Sequence, residues 1–303
     1  MRFFVDTLSL GITQGAVFAL IALGYTLVYG IIELINFAHG DVFTIGAFIG
    51  LNLIALFGMQ TWSPALLVPG LILLFAVTMA LNGLLGMAIE RVAYRPLRNA
   101  PRLAPLITAV GMSFFLEGVL YLVRGPNQIA YPNLFPSGSV SLGFASVGLT
   151  NLVIVAVTVV LMVGLHQFIQ RTRVGRAMRA TAQDRDAARL MGININRIIA
   201  ITFFIGSALA AAGGIIYGFY NESISFDLGF RSGLIAFTAA VFGGIGNVVG
   251  ASLGGFIIGL IIAFSTSYTS WGLQWADVIV FSILILVLVF RPTGLLGMRV
   301  PEK

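Results

Sequence analysis

Long apolar stretches separated by short polar or glycine-rich ones are the most regular feature of this chain. A helix that crosses a membrane needs about 20 mostly apolar residues, and most of the stretches approach or exceed that length. The pattern predicts an all-α integral membrane protein, a polytopic bundle of about eight transmembrane helices, some broken or re-entrant, in a single domain over residues 1–303. The predicted spans are 8–32, 42–57, 66–89, 105–123, 149–170, 198–220, a broken segment at 234–267, and 276–291.

Composition agrees with this prediction. Charged residues make up 9% of the chain, against roughly 25% in soluble domains, and the mean hydropathy is +1.01. So little charge cannot cover a surface that faces water, which excludes a pair of soluble domains. The 36 glycines are in keeping with closely packed membrane helices.

Basic residues are concentrated in three segments, which hold 14 of the 17. Basic loops of membrane proteins face the cytoplasm, so these segments are predicted to lie on that side. They lack the aromatic platforms of nucleic-acid-binding proteins, and no nucleic acid is expected as a partner. The three sets are Arg91, Arg95, Arg98 and Arg102; Arg171, Arg173, Arg176, Arg179, Arg185, Arg189 and Arg197; and Arg291, Arg299 and Lys303.

The positions of these segments determine the rest of the topology. Residues 124–148, 221–233 and 268–275 are predicted to lie on the opposite side. The segment 234–267 must then enter and leave on that same side, as a hairpin with its tip at residues 243–247. The N-terminus is predicted on the opposite side too.

Several kinds of chemistry are excluded by residue counts. The chain has no cysteine, and its two histidines, His39 and His166, are far apart in sequence. The only lysine is Lys303, which rules out a P-loop lysine inside the fold. The chain is therefore predicted not to be an enzyme and to hold no cofactor or metal of its own.

A first polar interruption runs from Asn36 through His39 to Asp41, between two apolar stretches. Polar groups at membrane depth are tolerated where they face protein or a watery cavity. Asp41 is expected to cap the following helix, with Gly40 easing the turn. These residues are predicted to line a translocation pathway; the alternative is that they only bond neighbouring helices together.

A second interruption, Gly243 to Gly250, contains four glycines and Asn247, and Thr238 precedes it. Hydrophobic segments broken by glycine often mark a transport pathway, so Thr238 and Asn247 are predicted to belong to it. Close packing of helix backbones is the other interpretation, and the two are compatible.

The basic stretch 171–197 is long for a simple connector. We expect one helix that ends at Gly192, with Asn196 capping the next span. Small side chains would form a stripe on one face of this helix, suited to docking against another protein, whereas the alternative is a solvated basic loop. That face would contain Ala177, Ala180, Asp184, Ala187, Ala188 and Met191.

A fourth motif, Glu90 to Arg98, is expected to anchor the first basic segment. Glu90 would neutralise Arg91 and bond Tyr94, and Pro96 would stop the helix.

Together these motifs resemble the LivH-type permease subunits of bacterial branched-chain amino acid ABC importers. The resemblance covers nearly the whole chain and is specific in combination. The segments that carry it are 22–30, 35–41, 90–98, 175–179, 190–194, 237–246 and 292–297.

The resemblance implies a set of partners in the bacterial inner (plasma) membrane. They are a second, related permease chain, two cytoplasmic ATPases that bind ATP and magnesium, and a periplasmic substrate-binding protein. The segment 171–197 would be the coupling loop that docks on an ATPase. The coupling residues would be Arg176, Asp184, Asp186, Leu190 and Gly192.

The resulting expectation is a permease that passes branched-chain or other hydrophobic amino acids inward by alternating access. A permease for short amides or urea, and a passive channel for a small solute, are the alternatives. A channel has no need of a docking segment. An intramembrane enzyme would need a set of catalytic residues that this sequence does not contain.

Overall fold

The computed structural model describes residues 2–297 except 99, 102, 136, 137 and 142–145. Arg102, Arg299 and Lys303 of the basic segments lie outside these described residues. The elements are α1 (Arg2–Ile32), α2 (His39–Phe57), α3 (Pro64–Ile89), α4 (Leu103–Arg124), β1 (Ile129–Ala130), β2 (Ser139–Ser141), β3 (Ser146–Gly148), α5 (Leu149–Arg171), α6 (Arg173–Gln183), α7 (Arg185–Leu190), α8 (Ile195–Asn221), β4 (Ser223–Ile224), α9 (Leu228–Gly243), α10 (Val248–Tyr268) and α11 (Gly272–Phe290).

The all-α, multi-pass architecture is confirmed. Among the described residues, seven helices are long and apolar enough to cross a membrane, and α9 and α11 are shorter apolar helices. The predicted broken segment at 234–267 consists of α9 and α10, joined by a short turn. Observed and predicted boundaries differ by a few residues at most ends, and by six at the start of α1 and of α9.

The centre of the bundle is formed by α1 and α8, which are buried over most of their length, whereas α3, α4 and α5 expose most of theirs. Close backbone approach explains the glycine content of the centre. Where α1 crosses α10, a Cβ on Gly15 would lie 2.7 Å from the Cα of Phe256. Such contact between helices replaces the hydrophobic effect as the source of attraction in lipid.

The basic segments meet at one end of the bundle, which we call the basic end. The Arg98 guanidinium donates to the Asn196 side chain, which links the first segment to the second. The segment after α11 joins them, because the Leu296 carbonyl accepts a hydrogen bond from Asn247 at 2.8 Å, and Asn247 lines the same cavity as Arg179 of the second segment. All three described basic segments therefore share one side, as predicted.

The opposite end is formed by the segments with few charges. There β1 and β4 pair as an antiparallel ladder, with Ile129 opposite Ile224. The ring of Phe3 lies 5.0 Å from that of Tyr268, so the start of α1 is at this end too. This arrangement agrees with the predicted parity.

Candidate translocation pathway and coupling segment

The first break, residues 33–41, interrupts the bundle between α1 and α2. Glu33 has a left-handed φ of +57°, and residues 33–36 have no helical structure. The prediction that Asp41 caps the next helix is wrong, because α2 already begins at His39. Asp41 lies inside the first turn, and its carboxylate accepts a hydrogen bond from the Ser113 hydroxyl on α4.

The predicted pathway residues of the first break are buried in this conformation. Asn36, His39 and Asp41 are 3%, 1% and 0% exposed. The Tyr94 hydroxyl donates to the Asn36 side-chain oxygen at 2.6 Å. The His39 Nε2 and one Asp41 oxygen have no hydrogen-bond partner within the described part of the chain. Since unpaired buried polar groups cost free energy, this cluster is a candidate functional site.

Aromatic rings close the first break. The ring of His39 meets Tyr25 edge-on at 4.8 Å. Phe237 of α9 lies 6.0 Å from Tyr25 and 6.2 Å from Phe37, between centroids. Tyr25 and Phe237 lie in segments that carry the family resemblance, but they were not among the predicted pathway residues, since aromatic side chains in apolar spans are most often packing residues.

Thr238, the next residue on α9, is fully buried. Its hydroxyl donates to the carbonyl of Leu234 in the same helix at 2.9 Å. The side chain is thus satisfied locally, which is how a hydroxyl is accommodated inside a membrane helix.

Asn82 was missed by the sequence reasoning. Its amide nitrogen donates to the Val42 carbonyl at 3.0 Å and to the Ser207 carbonyl at 2.8 Å. It therefore ties α3 to both α2 and α8 beside the first break. A lone amide within an apolar span was the signal that could have identified it.

The second break, residues 243–250, is an ordered turn. Gly244 has a φ of +108°, which favours glycine. The Asn247 side chain accepts from the amides of Val249 at 3.0 Å and Gly250 at 3.1 Å, and so caps α10. Asn247 also borders a cavity of about 280 Å³ at the basic end, together with Thr26 and Arg179.

The stretch 171–197 forms two helices, so the prediction of one continuous helix is wrong. Asp184 breaks it, with an extended φ of −154°. Its side chain accepts from the amides of Asp186 at 2.9 Å and Ala187 at 3.0 Å, and thereby caps α7. The predicted stripe of small residues is split between α6 and α7.

The predicted helix end at Gly192 is confirmed, whereas the predicted cap at Asn196 is wrong. Gly192 has a φ of +82° two residues after the end of α7, as expected of a glycine that ends a helix. Asn196 does not cap α8; Asn194 does so, through the Arg197 amide at 3.1 Å. Asn196 accepts instead from Arg98.

The predicted coupling residues are on the surface of the basic end. Leu190 and Met191 form an apolar tip and are 88% and 83% exposed. Arg176, Asp186 and Gly192 are exposed too. Large apolar side chains that are this exposed are a feature of surfaces that bind other proteins.

The Glu90 to Arg98 motif anchors the first basic segment. Glu90 is fully buried and pairs with Arg95 at 3.3 Å and with Arg98, rather than with the exposed Arg91 as predicted. A π-helical turn over Glu90–Tyr94 and a tight turn containing Pro96 end this helix. Burial lowers the pKa of Arg98, and the Glu90 carboxylate opposes that shift.

The sequence is similar to those of known proteins over nearly the whole chain. The family described as branched-chain amino acid transport system / permease component matches residues 7–288. The high-affinity branched-chain amino acid transport system permease protein BraD of Pseudomonas aeruginosa is 46% identical over 301 residues, which cover 97% of this chain and 95% of BraD.

Two further relatives are permease proteins named LivH of the same kind of system. Those of Salmonella typhimurium and Escherichia coli K12 are each 44% identical, over 99% of this chain and 98% of their own length. No solved structure matches the chain. The chain is a multi-pass membrane protein that belongs to the family of branched-chain amino acid transport permease components.

Proposed function

We propose that this chain is the permease subunit of an ABC importer for branched-chain and related hydrophobic amino acids in the bacterial inner membrane. The full-length identity of 44–46% to permeases named for this transport carries the proposal. The whole chain, 1–303, would act as one permease domain, with the basic end in the cytoplasm.

The amino acid would pass the first break and leave past the second. Asn36, His39 and Asp41 are polar and occluded at the first break, whereas Asn247 borders an open cavity at the basic end. Thr238 lies on α9 next to Phe237, which closes the first break. Alternating access would require the rings around His39 to separate.

Energy would come from partner subunits. The chain has no lysine before Lys303 and hence no P-loop lysine, so ATP and magnesium would be bound by two cytoplasmic ATPases. The exposed tip at Leu190 and Met191 supports docking of one ATPase there. A second, related permease chain and a periplasmic binding protein would complete the importer.

Charges on the docking segment provide a test of coupling. Asp186→Arg should weaken capture of the ATPase or uncouple hydrolysis from uptake, because Asp186 is exposed and would face the partner. Glu222→Arg, at an exposed carboxylate at the opposite end of the bundle, is the matched control for capture of the ATPase. Unchanged capture and uptake in Asp186→Arg would contradict the assignment.

Reconstitution tests the function itself. Proteoliposomes with the complete complex, external binding protein and internal ATP should accumulate radiolabelled leucine, with valine and isoleucine competing. Liposomes with this chain alone should show no flux. Flux without ATP through this chain alone would indicate a channel, and preference for urea or acetamide would indicate the amide or urea permease.

A further inference from the structure

A second polar cavity lies at the basic end, next to the first break: Glu33 begins that break, and Tyr94, which bonds Asn36, also lines the cavity. It has a volume of about 290 Å³ and lies where the end of α1, the turn after α3 and the start of α7 meet α8. This is close to the lower end of the roughly 300–1,000 Å³ typical of small-molecule sites. We call it the basic-end pocket. Its charged lining residues are Glu33, Arg98 and Arg185.

The charges in this pocket are not equivalent. Arg98 is already compensated by the buried Glu90 carboxylate. Arg185 donates to the Ile31 carbonyl at 3.0 Å, which fixes its guanidinium without neutralising it. Within the described residues no carboxylate lies within 4.0 Å of Arg185, and Glu33 has no ion pair. Of the described lining residues, one cation, Arg185, and one anion, Glu33, are therefore available to a ligand.

The remaining wall is mostly apolar. Ile199 and Phe203 of α8 and Pro105 of α4 line it, with the Tyr94 ring 5.3 Å from that of Phe203. A ligand that fits has one carboxylate, one ammonium group and a compact apolar side chain. A phosphate group would meet the same guanidinium, but Glu33 would repel it.

The backbone at Glu33 is unusual as well. Its φ of +57° is in the region that favours glycine. A residue with a longer side chain held there is uncommon and often marks a functional position. This conformation brings the Glu33 carboxylate to the pocket directly at the start of the first break.

From this geometry we infer that the basic-end pocket binds a branched-chain amino acid from the cytoplasmic side, and that occupancy slows import. The inference rests on the proposed function, because the imported product is the ligand. Arg185 would bind the carboxylate, and Glu33 the ammonium group. The ligand would connect Arg185, at the start of α7, to Glu33, at the start of the first break. It would thereby restrict movement of the segment that carries the apolar tip relative to the first break.

Binding to the purified complex without its binding protein tests the site. Equilibrium dialysis with radiolabelled leucine should show a site whose Kd rises about tenfold in Glu33→Gln and in Arg185→Gln, since hydrogen bonds to charged groups contribute about that factor. Arg91→Gln, an exposed arginine outside the pocket, is the control for charge. Glu222→Gln is the control for Glu33, because Glu222 also has a positive φ, of +54°.

Ligand analogues separate a zwitterion site from an anion site. Leucinol lacks the carboxylate and 4-methylpentanoate lacks the ammonium group, so each should compete at least about tenfold more weakly than leucine. Equal competition by 4-methylpentanoate or by inorganic phosphate would overturn the inference.

Regulation is measured as a ratio within one preparation of proteoliposomes. Uptake with leucine preloaded inside, divided by uptake without it, should be well below one for the unaltered complex and should approach one in Glu33→Gln. A ratio of one in the unaltered complex, or the same ratio in Glu33→Gln, would overturn the regulatory role. Absence of any ATP-driven leucine uptake would defeat the proposed function instead, while the dialysis would still decide whether the pocket binds leucine.

Discussion

The first and second breaks have the same kind of sequence but different structures. Both place glycine and asparagine within apolar stretches. In the first, residues 33–41, the polar side chains are enclosed, and the break is supported by distant residues such as Tyr94 and Ser113. In the second, residues 243–250, Asn247 caps the helix that follows it and borders an open cavity.

The local sequence pattern therefore does not determine how deeply such a break is buried. A cap is a local interaction, since Asn247 bonds amides two and three residues away. The partners of Asn36 and Asp41 are 58 and 72 residues away. The second break should therefore tolerate substitution better than the supports of the first.

The largest effect is expected from Arg98→Ala. The substitution would leave the buried Glu90 carboxylate with Arg95 as its one partner among the described residues, and it would remove the hydrogen bond to Asn196. Glu90 is in the same turn as Tyr94, which bonds Asn36. Removing one partner of a buried ion pair costs about 3–5 kcal/mol when the other charge is left alone. Because Arg95 still pairs with Glu90, the cost should be near the lower end of that range, and the full-length chain in detergent should denature at a clearly lower temperature. Arg91→Ala is the control. Equal denaturation midpoints for Arg98→Ala and Arg91→Ala would contradict a stabilising role of the Glu90–Arg98 ion pair.

A smaller effect is expected from Gly24→Val. The added side chain would overlap the His39 imidazole, and its Cβ would lie 3.0 Å from the Gly206 carbonyl. Overpacking of this kind costs about 1–3 kcal/mol, and leucine uptake should fall with it. Uptake and denaturation midpoint equal to those of the unaltered chain would show that His39 is not held in place by close packing.

The matched glycine of the second break is Gly246. Among the described residues other than its chain neighbours, the nearest atom to a Cβ at this position is the Cα of Gly30, at 4.0 Å, and the φ of Gly246 is +92°. Gly246→Ala should therefore cost only about 1 kcal/mol of backbone strain and leave most uptake intact. A loss as large as that of Gly24→Val would mean that the second break is as tightly enclosed as the first.

The smallest effect is expected at the cap. Asn247→Ala loses the cap on α10, worth about 1 kcal/mol, whereas Asn247→Asp keeps an accepting oxygen. The denaturation midpoints of the two variants in detergent should differ by a few degrees at most. A loss of several kcal/mol in Asn247→Ala would instead indicate that its bond to Leu296 holds the basic end together.

Much of the fold could be predicted from the sequence, because lipid imposes strong constraints on length and polarity. The spans, their parity and the shared basic end all follow from apolar stretches and arginine positions. The turn between α9 and α10 was also predicted at the position where Gly244 takes a positive φ.

The arrangement around the candidate site could not be predicted. Asp41 was expected to cap a helix that begins at residue 42. The helix already begins at His39, two residues before Asp41, because Ala38 has helical dihedral angles. Asp184 was assigned to the middle of one helix, although aspartate is a strong capping residue and begins a second one here. Asn82 and Ser113 became visible only when their helices were brought together.

The proposed route is tested most directly by single cysteines, since the chain contains none of its own. His39→Cys and Asn247→Cys would be placed separately in the reconstituted complex and treated with a small, water-soluble thiol reagent. The cysteine at position 39 should be unreactive at rest and become reactive during ATP-driven transport, with protection by leucine. The cysteine at position 247 should react in both states. A cysteine at position 39 that stays unreactive during measured uptake would contradict passage through the first break.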